Sequence, residues 1–172
     1  MKLESKYLIL ATVASLMVVF DQLTKLYIHA NFGLGESVPV IRDLFHITYV
    51  RNTGAAFGIF RDVPEWFRQM FFLSMPPIAL IIILVMLRGV ESKDRWQVFS
   101  LSLIFGGAIG NYIDRLRFGY VIDFLDFHYK EVWSYPAFNI ADSAIVSGVC
   151  LLLLLMTVRD RAAKRACQAQ KA

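Results

Sequence analysis

The sequence predicts an all-α membrane protein with four transmembrane helices, a small extracytoplasmic β-sheet that forms a cradle, and an interfacial amphipathic segment. Composition is the first observation: of 172 residues, 57% are hydrophobic and 19% are charged, and the mean hydropathy is +0.53. A chain this apolar and of this length is typical of one compact unit in a membrane rather than of a soluble domain. Long stretches with few charges and an uneven distribution of basic residues are the other two observations.

Four apolar stretches are each long enough to cross a hydrocarbon core of roughly 30 Å. Residues 69–87 and 96–113 carry no charge, and Asp142 is the only charge in residues 137–158. The first stretch continues past Asp21 and Lys25, and its length and charges argue against a cleavable signal peptide. We predict one integral membrane domain, residues 1–172, with spans at about 7–30, 69–88, 96–116 and 137–158, outer loops at 31–68 and 117–136, and a cytoplasmic basic tail at 159–172.

Basic residues are concentrated at one end of these spans. Ten Lys and Arg residues flank the ends that we assign to the cytoplasm, whereas Arg42, Arg51, Arg61, Arg117 and Lys130 are spread over the two longer loops. Cytoplasmic flanks carry the excess of Lys and Arg in membrane proteins, so both termini are predicted in the cytoplasm. The net charge of +4 then anchors the protein at the membrane surface. No nucleic-acid partner is predicted, because no binding motif accompanies these charges.

The first outer loop has the composition of a small β-sheet. Residues 38–60 are rich in β-branched and aromatic residues and are broken by the turn-forming sequence Asn52-Thr53-Gly54. Residues 64–68 begin with a proline and contain Trp66, which suits the headgroup level, so the second helix is expected to begin in the interface. A G-x-x-x-G spacing within residues 106–110 predicts close packing of the third helix.

Two carboxylates lie at the edges of hydrophobic segments, Asp123 after Val121-Ile122 and Asp142 after Ile140-Ala141. A carboxylate near hydrocarbon costs a few kcal/mol unless it is paired, wet or neutral, so such residues indicate a functional site. Two acids about 3 Å apart cannot both ionise, and a pair that shares one proton can supply both the acid and the base of a hydrolytic reaction. We predict Asp142, in the first turn of a helix, as the base and Asp123, among apolar neighbours, as the acid.

The other polar residues of the spans all map to the outer leaflet. Asp21 lies about 21 Å along the first helix from Tyr7, at 1.5 Å per residue. Asn111 and Arg115 end the third span on the same side. A transport path would place polar groups through the full depth of the membrane, above all near its midplane. The pattern therefore favours hydrolysis at the outer surface, and a small proton-coupled transporter or a lipid-binding scaffold is the alternative.

The sequence offers no other hydrolytic centre and no cofactor site. Cys150 and Cys167 have neither the number nor the placement of a disulfide framework or a zinc site. His29, His46 and His128 lack the spacing of metal ligands, and the sequence contains no G-x-S-x-G motif. We predict neither a cofactor nor a metal.

Two pairs of polar residues share helix faces near the acids. Asp21 and Lys25 are four residues apart with the acid first, which is the spacing of a helix ion pair. Their role is either structural support or direct contact with a substrate. Asn111 and Arg115 have the same spacing, and Arg115 either braces the two acids or binds a lipid or a substrate carbonyl.

Two further acids are predicted to lie outside the site. Asp114 points off the face shared by Asn111 and Arg115, and we expect it to pair with Arg117 or with a loop group. Asp126 is expected to be a solvated loop acid. We therefore assign neither of them to the site.

Five segments, in their order along the chain, resemble the motifs of bacterial lipoprotein signal peptidase, the family also called signal peptidase II. They are Asp21-Gln22-Leu23-Thr24-Lys25, Asn52-Thr53-Gly54-Ala55-Ala56-Phe57-Gly58, Gly106-Gly107-Ala108-Ile109-Gly110-Asn111-Tyr112-Ile113-Asp114-Arg115, Val121-Ile122-Asp123-Phe124 and Phe138-Asn139-Ile140-Ala141-Asp142. One such motif would be weak, but five in order are specific. The resemblance extends over roughly residues 5–158.

The resemblance implies an activity and a set of site residues. It implies that Asp123 and Asp142 are the catalytic dyad of an aspartyl protease. The implied substrate is a prolipoprotein, cut just before a cysteine that carries a diacylglyceryl group. The residues implied to support the dyad, or to line the substrate and inhibitor site, are Asp21, Lys25, Asn52, Gly54, Asn111, Arg115, Asn139 and Ala141.

Partners and location follow from the same resemblance. It implies diacylated prolipoproteins, membrane lipids and inhibitors of the globomycin type as partners. We expect a monomer in the bacterial cytoplasmic (inner) membrane, with the active site near the periplasmic face. The outer sheet and the interfacial stretch around Trp66 would then be a cradle and a clamp over the site.

Overall fold

The computed structural model describes residues 4–54, 63–130 and 132–169. Within these ranges the chain forms four α-helices and four β-strands. In chain order they are α1 (Ser5–Asn31), β1 (Ser37–Ile41), β2 (Phe45–Asn52), α2 (Glu65–Gly89), α3 (Arg95–Phe118), β3 (Val121–Tyr129), β4 (Trp133–Ser134) and α4 (Ile140–Ala169). The predicted fold class, a helical membrane protein with a small sheet, is confirmed.

Helix α3 lies at the centre of the bundle and contacts each of the other three helices. Glycines allow the backbones to come close. A Cβ atom at Gly106 would lie 3.0 Å from the Cα atom of Ala14 in α1, and one at Gly148 of α4 would lie 2.7 Å from the backbone oxygen of Ser100 in α3. Small residues at such contacts favour helix association within a membrane. The close packing predicted for α3 is therefore confirmed.

Three of the helices in the described ranges, α1, α2 and α4, are long and apolar enough to cross a membrane. The fourth predicted span, α3, is less apolar. It carries charged residues near its C-terminal end and buries Ser100, Ser102 and Asn111. The hydroxyl groups of Ser100 and Ser102 donate to backbone oxygens one turn earlier in α3, while Asn111 finds partners on α1 and α4. The boundaries of the spans stay predictions.

The sheet has the order β1-β2-β3-β4, and all neighbouring strands are antiparallel. The predicted strands of the first outer loop are present as β1 and β2, while residues 55–60 of that prediction lie outside the described residues. The second outer loop was not predicted to contribute strands, yet it supplies β3 and β4. In the register of β2 and β3, Val50 lies opposite Asp123 and Asn52 lies opposite Val121. This pairing brings Asn52 close to one of the two predicted acids.

Two apolar clusters hold the fold together. The first lies toward the predicted cytoplasmic side and joins α1, α2 and α3. Its buried members are Leu10, Ile83, Leu87, Val90, Val98 and Leu101. The second joins the sheet to the C-terminal end of α1, and its buried members are Ile28, Tyr49, Ile122 and Phe124. The predicted site residues lie between these clusters, where the sheet, α1, α3 and α4 meet.

Candidate active site

The two predicted acids come from different elements and are brought together at one residue, Asn139. Asp123 lies on β3 with its side chain almost completely buried. Asp142 lies in the first turn of α4. The side-chain amide of Asn139 donates to Asp123 Oδ1 at 2.7 Å, and its backbone N–H donates to Asp142 Oδ2 at 3.2 Å. Asn139 therefore links the two carboxylates directly.

The same residue caps helix α4. Asn139 Oδ1 accepts the backbone N–H of Asp142 at 2.9 Å, while Asp142 Oδ2 accepts the backbone N–H of Asn139. This reciprocal exchange is a capping box, with Asp in the place of the usual Glu or Gln. Both orphan N–H groups are satisfied, and the positive end of the helix dipole faces the Asp142 carboxylate. The position of Asp142 is thus fixed by the start of its own helix.

Asp123 has a second partner from the neighbouring strand. Asn52 Nδ2 donates to Asp123 Oδ2 at 2.9 Å. The orientation of this amide is set in turn by the backbone N–H of Gly54, which donates to Asn52 Oδ1 at 3.0 Å. Both residues belong to the predicted site, and the turn after β2 gives each of them a defined role toward Asp123.

Asn111 on α3 supports the other acid. Its Nδ2 donates to Asp142 Oδ1 at 2.7 Å. Its Oδ1 accepts from Lys25 Nζ at 2.8 Å and from Asn139 Nδ2 at 3.2 Å. Asn111 therefore lies between the acids and a buried ammonium group.

Lys25 forms the centre of a buried ion triad. Its Nζ lies 2.9 Å from Asp21 Oδ2 and 3.0 Å from Asp114 Oδ2, and all three side chains are at most 1% exposed. The ion pair predicted between Asp21 and Lys25 is confirmed. The prediction that Asp114 points off the face of Asn111 was wrong, because this residue is fully buried in the triad. It does not pair with Arg117, but it does accept the backbone N–H of Ile122 in the predicted second outer loop. Residues three apart on a helix are neighbours, so Asp114 shares with Asn111 the face that meets α1.

Asp21 also reaches the start of α4. Its Oδ1 accepts the backbone N–H of Ala141 at 2.9 Å. Ala141 is completely buried, and a Cβ atom on the adjacent Gly110 would lie 2.5 Å from Asp21 Oδ2. These contacts favour structural support over substrate contact as the role of Asp21, because both oxygens of its carboxylate are already bound to groups within the protein.

Arg115 lies in the last turn of α3. Its Nη1 donates to the backbone oxygen of Asn111 at 3.3 Å, and its guanidinium group lies 5.2 Å from the ring centre of Phe72 in α2. Arg115 and Phe72 line a cavity of about 250 Å³ together with Thr53. The guanidinium group therefore lies at the wall of a cavity, in addition to its contact with the helix backbone.

The environment of Asp123 disfavours its ionised form. Burial raises the pKa of the Asp123 carboxyl to about 7, and the nearby charge of Asp142 acts in the same direction. The hydrogen bonds from Asn52 and Asn139 and the charge of Lys25 oppose this increase but do not cancel it. A carboxyl group with such a pKa can hold a proton near neutral pH.

A cavity of about 450 Å³ opens beside Asp142. It lies between the sheet and α4, and apart from Asp142 and two serines its lining is apolar or aromatic. The lining residues are Leu44, Phe127, Trp133, Tyr135, Phe138, Asp142, Ser143, Val146 and Ser147. Of the two predicted acids, Asp142 is the one that faces this space.

The remaining polar residues belong to other contacts. His29 Nδ1 lies 2.6 Å from the Tyr49 hydroxyl, and His46 packs edge-on against His128. Asp126, predicted as a solvated loop acid, instead lies on β3 and accepts from a neighbouring hydroxyl in the sheet. Cys150 and Cys167 are both free and exposed. The described parts of the chain contain no group of three or more His, Cys, Asp or Glu side chains suited to a metal ion.

Comparison with known proteins agrees with this arrangement. The family described as Signal peptidase (SPase) II matches residues 13–158, a range that contains all five motif segments. The chain belongs to the signal peptidase II family. The lipoprotein signal peptidase of Syntrophus aciditrophicus (strain SB) is 46% identical over 148 residues, which cover 86% of this chain and 91% of the relative. That of Geobacter metallireducens is 44% identical over 158 residues, 92% of this chain and 95% of the relative.

The fold agrees with that of solved structures as well. One bacterial membrane enzyme structure, determined by the in meso method, has a TM-score of 0.78 and 34% identity and covers 90% of each chain. A second has a TM-score of 0.75 and 32% identity, over 86% of this chain and 91% of the other. The helical bundle and the sheet of this signal peptidase II are therefore those of known bacterial membrane enzymes.

Two members of the polar network were not predicted as site residues, Gln22 and Asp114. Gln22 Nε2 donates to Asp114 Oδ1 at 2.8 Å and to the backbone oxygen of Gly110 at 3.1 Å. Asp114 also accepts the backbone N–H of Ile122 at 3.1 Å. A signal for Asp114 was available, because it lies three residues after Asn111. The sequence contains no comparable signal for Gln22 beyond its place beside Asp21.

Proposed function

We propose that this signal peptidase II is a membrane aspartyl endopeptidase that removes signal peptides from diacylglyceryl-modified prolipoproteins. It cuts on the N-terminal side of the lipidated cysteine by attack of water, assisted by Asp123 and Asp142. The observation that carries the proposal is the direct link of both carboxylates through Asn139, with one acid buried and the other facing an apolar cavity. Family membership supports the substrate class.

The first half of the reaction uses the different environments of the two acids. Asp142, held at the positive end of α4, is the base and takes a proton from water as the water oxygen attacks the carbonyl carbon of the scissile amide. Asp123, whose pKa is raised to about 7, gives its proton to the carbonyl oxygen. A neutral tetrahedral intermediate forms, with the proton now on Asp142 and the charge on Asp123.

The second half reverses these roles. Asp142 passes its proton to the leaving nitrogen, and Asp123 takes a proton from one hydroxyl of the intermediate as the carbon–nitrogen bond breaks. The products are a carboxylic acid and an amine, and the dyad returns to its starting state with one shared proton. Because the proton belongs to the pair, its titration reports both acids together.

The surroundings of the dyad suit a lipidated substrate. Each acyl methylene kept in an apolar environment contributes roughly 0.8 kcal/mol, so a diacylated protein stays in the membrane. Aromatic and aliphatic side chains line the cavity beside Asp142 and can contact such chains. The dyad would lie near the periplasmic face of the inner membrane, with both termini in the cytoplasm. Globomycin-type inhibitors would occupy the same cavity, and the enzyme would act as a monomer.

The test is cleavage of a synthetic diacylated lipobox peptide by the purified enzyme, with mass analysis of the products. The variants Asp123→Asn and Asp142→Asn should each lower kcat by about a thousandfold or more, because one proton-transfer group is lost. Both variants should fold and still bind a globomycin-type lipopeptide.

The alternative functions give a different result. A transporter or a lipid-binding scaffold would yield no cleaved product with the unaltered protein. Cleavage that persists in both variants would reject the aspartyl mechanism, even if the protein is a protease.

A further inference from the structure

The Lys25 triad contains one acid that the proposed mechanism does not use. Asp114 is completely buried, although burial of a carboxylate is costly unless its partners compensate for the lost water. Its two oxygens accept from Gln22 Nε2, from Lys25 Nζ and from the backbone N–H of Ile122. Ile122 directly precedes Asp123. Asp114 is therefore in contact with both the ammonium group and the strand that carries one acid of the dyad.

The three N–H groups of Lys25 are all directed to acceptors. An ammonium group has three donors and no acceptor. Asp21, Asp114 and Asn111 provide the acceptors at 2.9, 3.0 and 2.8 Å. With two positions held by carboxylates, the third N–H is directed at the carbonyl oxygen of Asn111. The two acids thus set the direction in which Lys25 donates.

This direction determines how the Asn111 amide is turned. A carbonyl oxygen that accepts from Lys25 leaves the amide nitrogen to donate to Asp142 Oδ1. In the flipped orientation the NH2 group would face an ammonium group and the oxygen would face a carboxylate, so both contacts would be repulsive. Asn139 Nδ2 donates to the same Asn111 oxygen and to Asp123. The orientation of the Asn111 amide therefore affects the hydrogen bonds of both Asp142 and Asp123.

We propose that Asp114 is a positioning residue for the reaction: together with Asp21 it holds Lys25 against Asn111, and so orients the amide that donates to Asp142. This inference rests on the proposed function. Gln22 acts with Asp114, because it donates to the Asp114 oxygen that Lys25 does not contact. Asp114 does not touch the substrate, and its effect reaches the dyad through Lys25 and Asn111.

The variant Asp114→Asn tests the proposal, because it keeps an oxygen for Ile122 but removes the charge. We expect kcat to fall about tenfold or more, the loss typical of removing an orienting partner behind a reacting group, with little change in KM. Asp126→Asn is the matched control, since it removes an acid from β3 outside the network. It should leave kcat within about twofold of the unaltered enzyme.

The pH profile separates positioning from simple structural support. Charged groups near the dyad come from α1 (Asp21 and Lys25) and from α3 (Asp114 and Arg115). Loss of one negative charge among them favours ionisation of the dyad, so both limbs of the kcat/KM profile should move to lower pH by about half to one unit. A purely structural role would lower the melting temperature and the folded fraction, but would leave the limbs and the kcat of the folded enzyme unchanged.

A second background tests the route of the effect. In an Asn111→Ala enzyme the amide is absent, so adding Asp114→Asn should lower kcat by less than about threefold further, because residues of one network are not additive. If Asp114→Asn does not fold, Gln22→Met provides the measurement, and kcat should fall about threefold at unchanged KM. Unchanged kcat in Gln22→Met, or full additivity with Asn111→Ala, would overturn the proposal.

The outcomes remain distinct from those of the proposed function. Absence of cleavage by the unaltered enzyme rejects the function itself. If the enzyme cleaves, Asp123→Asn does not, and Asp114→Asn matches Asp126→Asn in both kcat and pH limbs, only the positioning role is rejected.

Discussion

The two ends of the helical bundle are stabilised in different ways. At one end of the bundle, the apolar end, Leu10 of α1, Leu87 of α2 and Leu101 of α3 belong to one apolar cluster. At the other end, the charged end, the same α1 buries Asp21 and Lys25. One helix therefore contributes shape complementarity at one end and charge pairing at the other.

The cost of the charged end is offset by complete pairing. In the described residues, no buried side-chain nitrogen or oxygen lacks a hydrogen-bond partner. Buried ions are tolerated when their geometry is good and all their donors and acceptors are satisfied. Even at the apolar end, buried Lys6 donates to the backbone oxygens of Arg88 and Val90, where α2 ends. The two ends thus differ in what their polar groups contact. Lys25 is connected to Asp142 through Asn111, whereas Lys6 contacts the end of α2.

The largest effect on stability is expected when the ammonium group of Lys25 is removed. Lys25→Met leaves Asp21 and Asp114 buried without their shared partner, which costs about 3–5 kcal/mol of the free energy of unfolding. Unfolding of the purified enzyme in detergent, followed by circular dichroism, measures the loss. Leu101→Ala at the apolar end should cost about 2–3 kcal/mol by leaving a cavity.

Activity distinguishes these two substitutions further. The folded fraction of Leu101→Ala should keep its kcat within about twofold, because its site is intact, whereas folded Lys25→Met should lose activity as Asn111 is freed to turn. Equal loss of kcat in both variants would contradict the separation of the two ends.

A single methyl group at the charged end should have a smaller effect on stability but a clear one on activity. In Gly110→Ala the new Cβ atom would lie 2.5 Å from Asp21 Oδ2, so Asp21 must move away from the backbone N–H of Ala141. We expect a loss of about 1–3 kcal/mol and at least a tenfold fall in kcat. Gly89→Ala is the matched control, because nothing lies within 4 Å of its added Cβ atom. The idea fails if both variants behave alike in a peptide cleavage assay.

A further prediction concerns the dependence of stability and activity on pH. The pKa of Asp123 is raised by burial and by Asp142 to about 7 from an ordinary 3.8. The folded protein therefore binds this proton more tightly than the unfolded chain does. Its stabilising contribution is complete below about pH 4 and is lost as pH rises through about 7. Because Asp123 supplies this proton in the proposed mechanism, activity should fall above about pH 7.

Substitution of Asn52 tests whether the pKa of Asp123 controls this fall in activity. Its hydrogen bond holds the pKa of Asp123 lower than burial alone would. In Asn52→Ala the pKa should rise, and the alkaline limb of the kcat/KM profile should move to higher pH. A limb that stays in place, or moves to lower pH, would show that another group than Asp123 controls it.

Much of this molecule is predictable from local sequence patterns. The apolar stretches predict the helices, and the four-residue spacing predicts the ion pair between Asp21 and Lys25. Family-like segments predict that Asn52, Asn111 and Asn139 lie near Asp123 and Asp142, and each contacts one or both acids. These features depend on periodicity or on motifs, both of which can be read along the chain.

The features that were missed depend on contacts between distant elements. β3 was not predicted, because Asp123 and Asp126 interrupt its apolar alternation and its partner β2 lies far away in the sequence. The spacing from Asn111 could have placed Asp114 on the same face of α3. Its pairing with Lys25, however, depends on α1 packing against that face, and no pattern within α3 indicates which helix packs there. Gln22 was missed for the same reason, since its partners lie on α3.

The position of Asn139 is open to very few amino acids. Its short side chain supplies one acceptor, used by the Asp142 N–H, and donates to both Asp123 and Asn111. Asp would start the helix equally well but has no hydrogen to give, whereas Ser and Thr have only one. Two requirements therefore restrict this position, the geometry of a helix start and the number of hydrogens that the side chain can donate. In a saturation library selected for activity, Asn should be recovered almost alone.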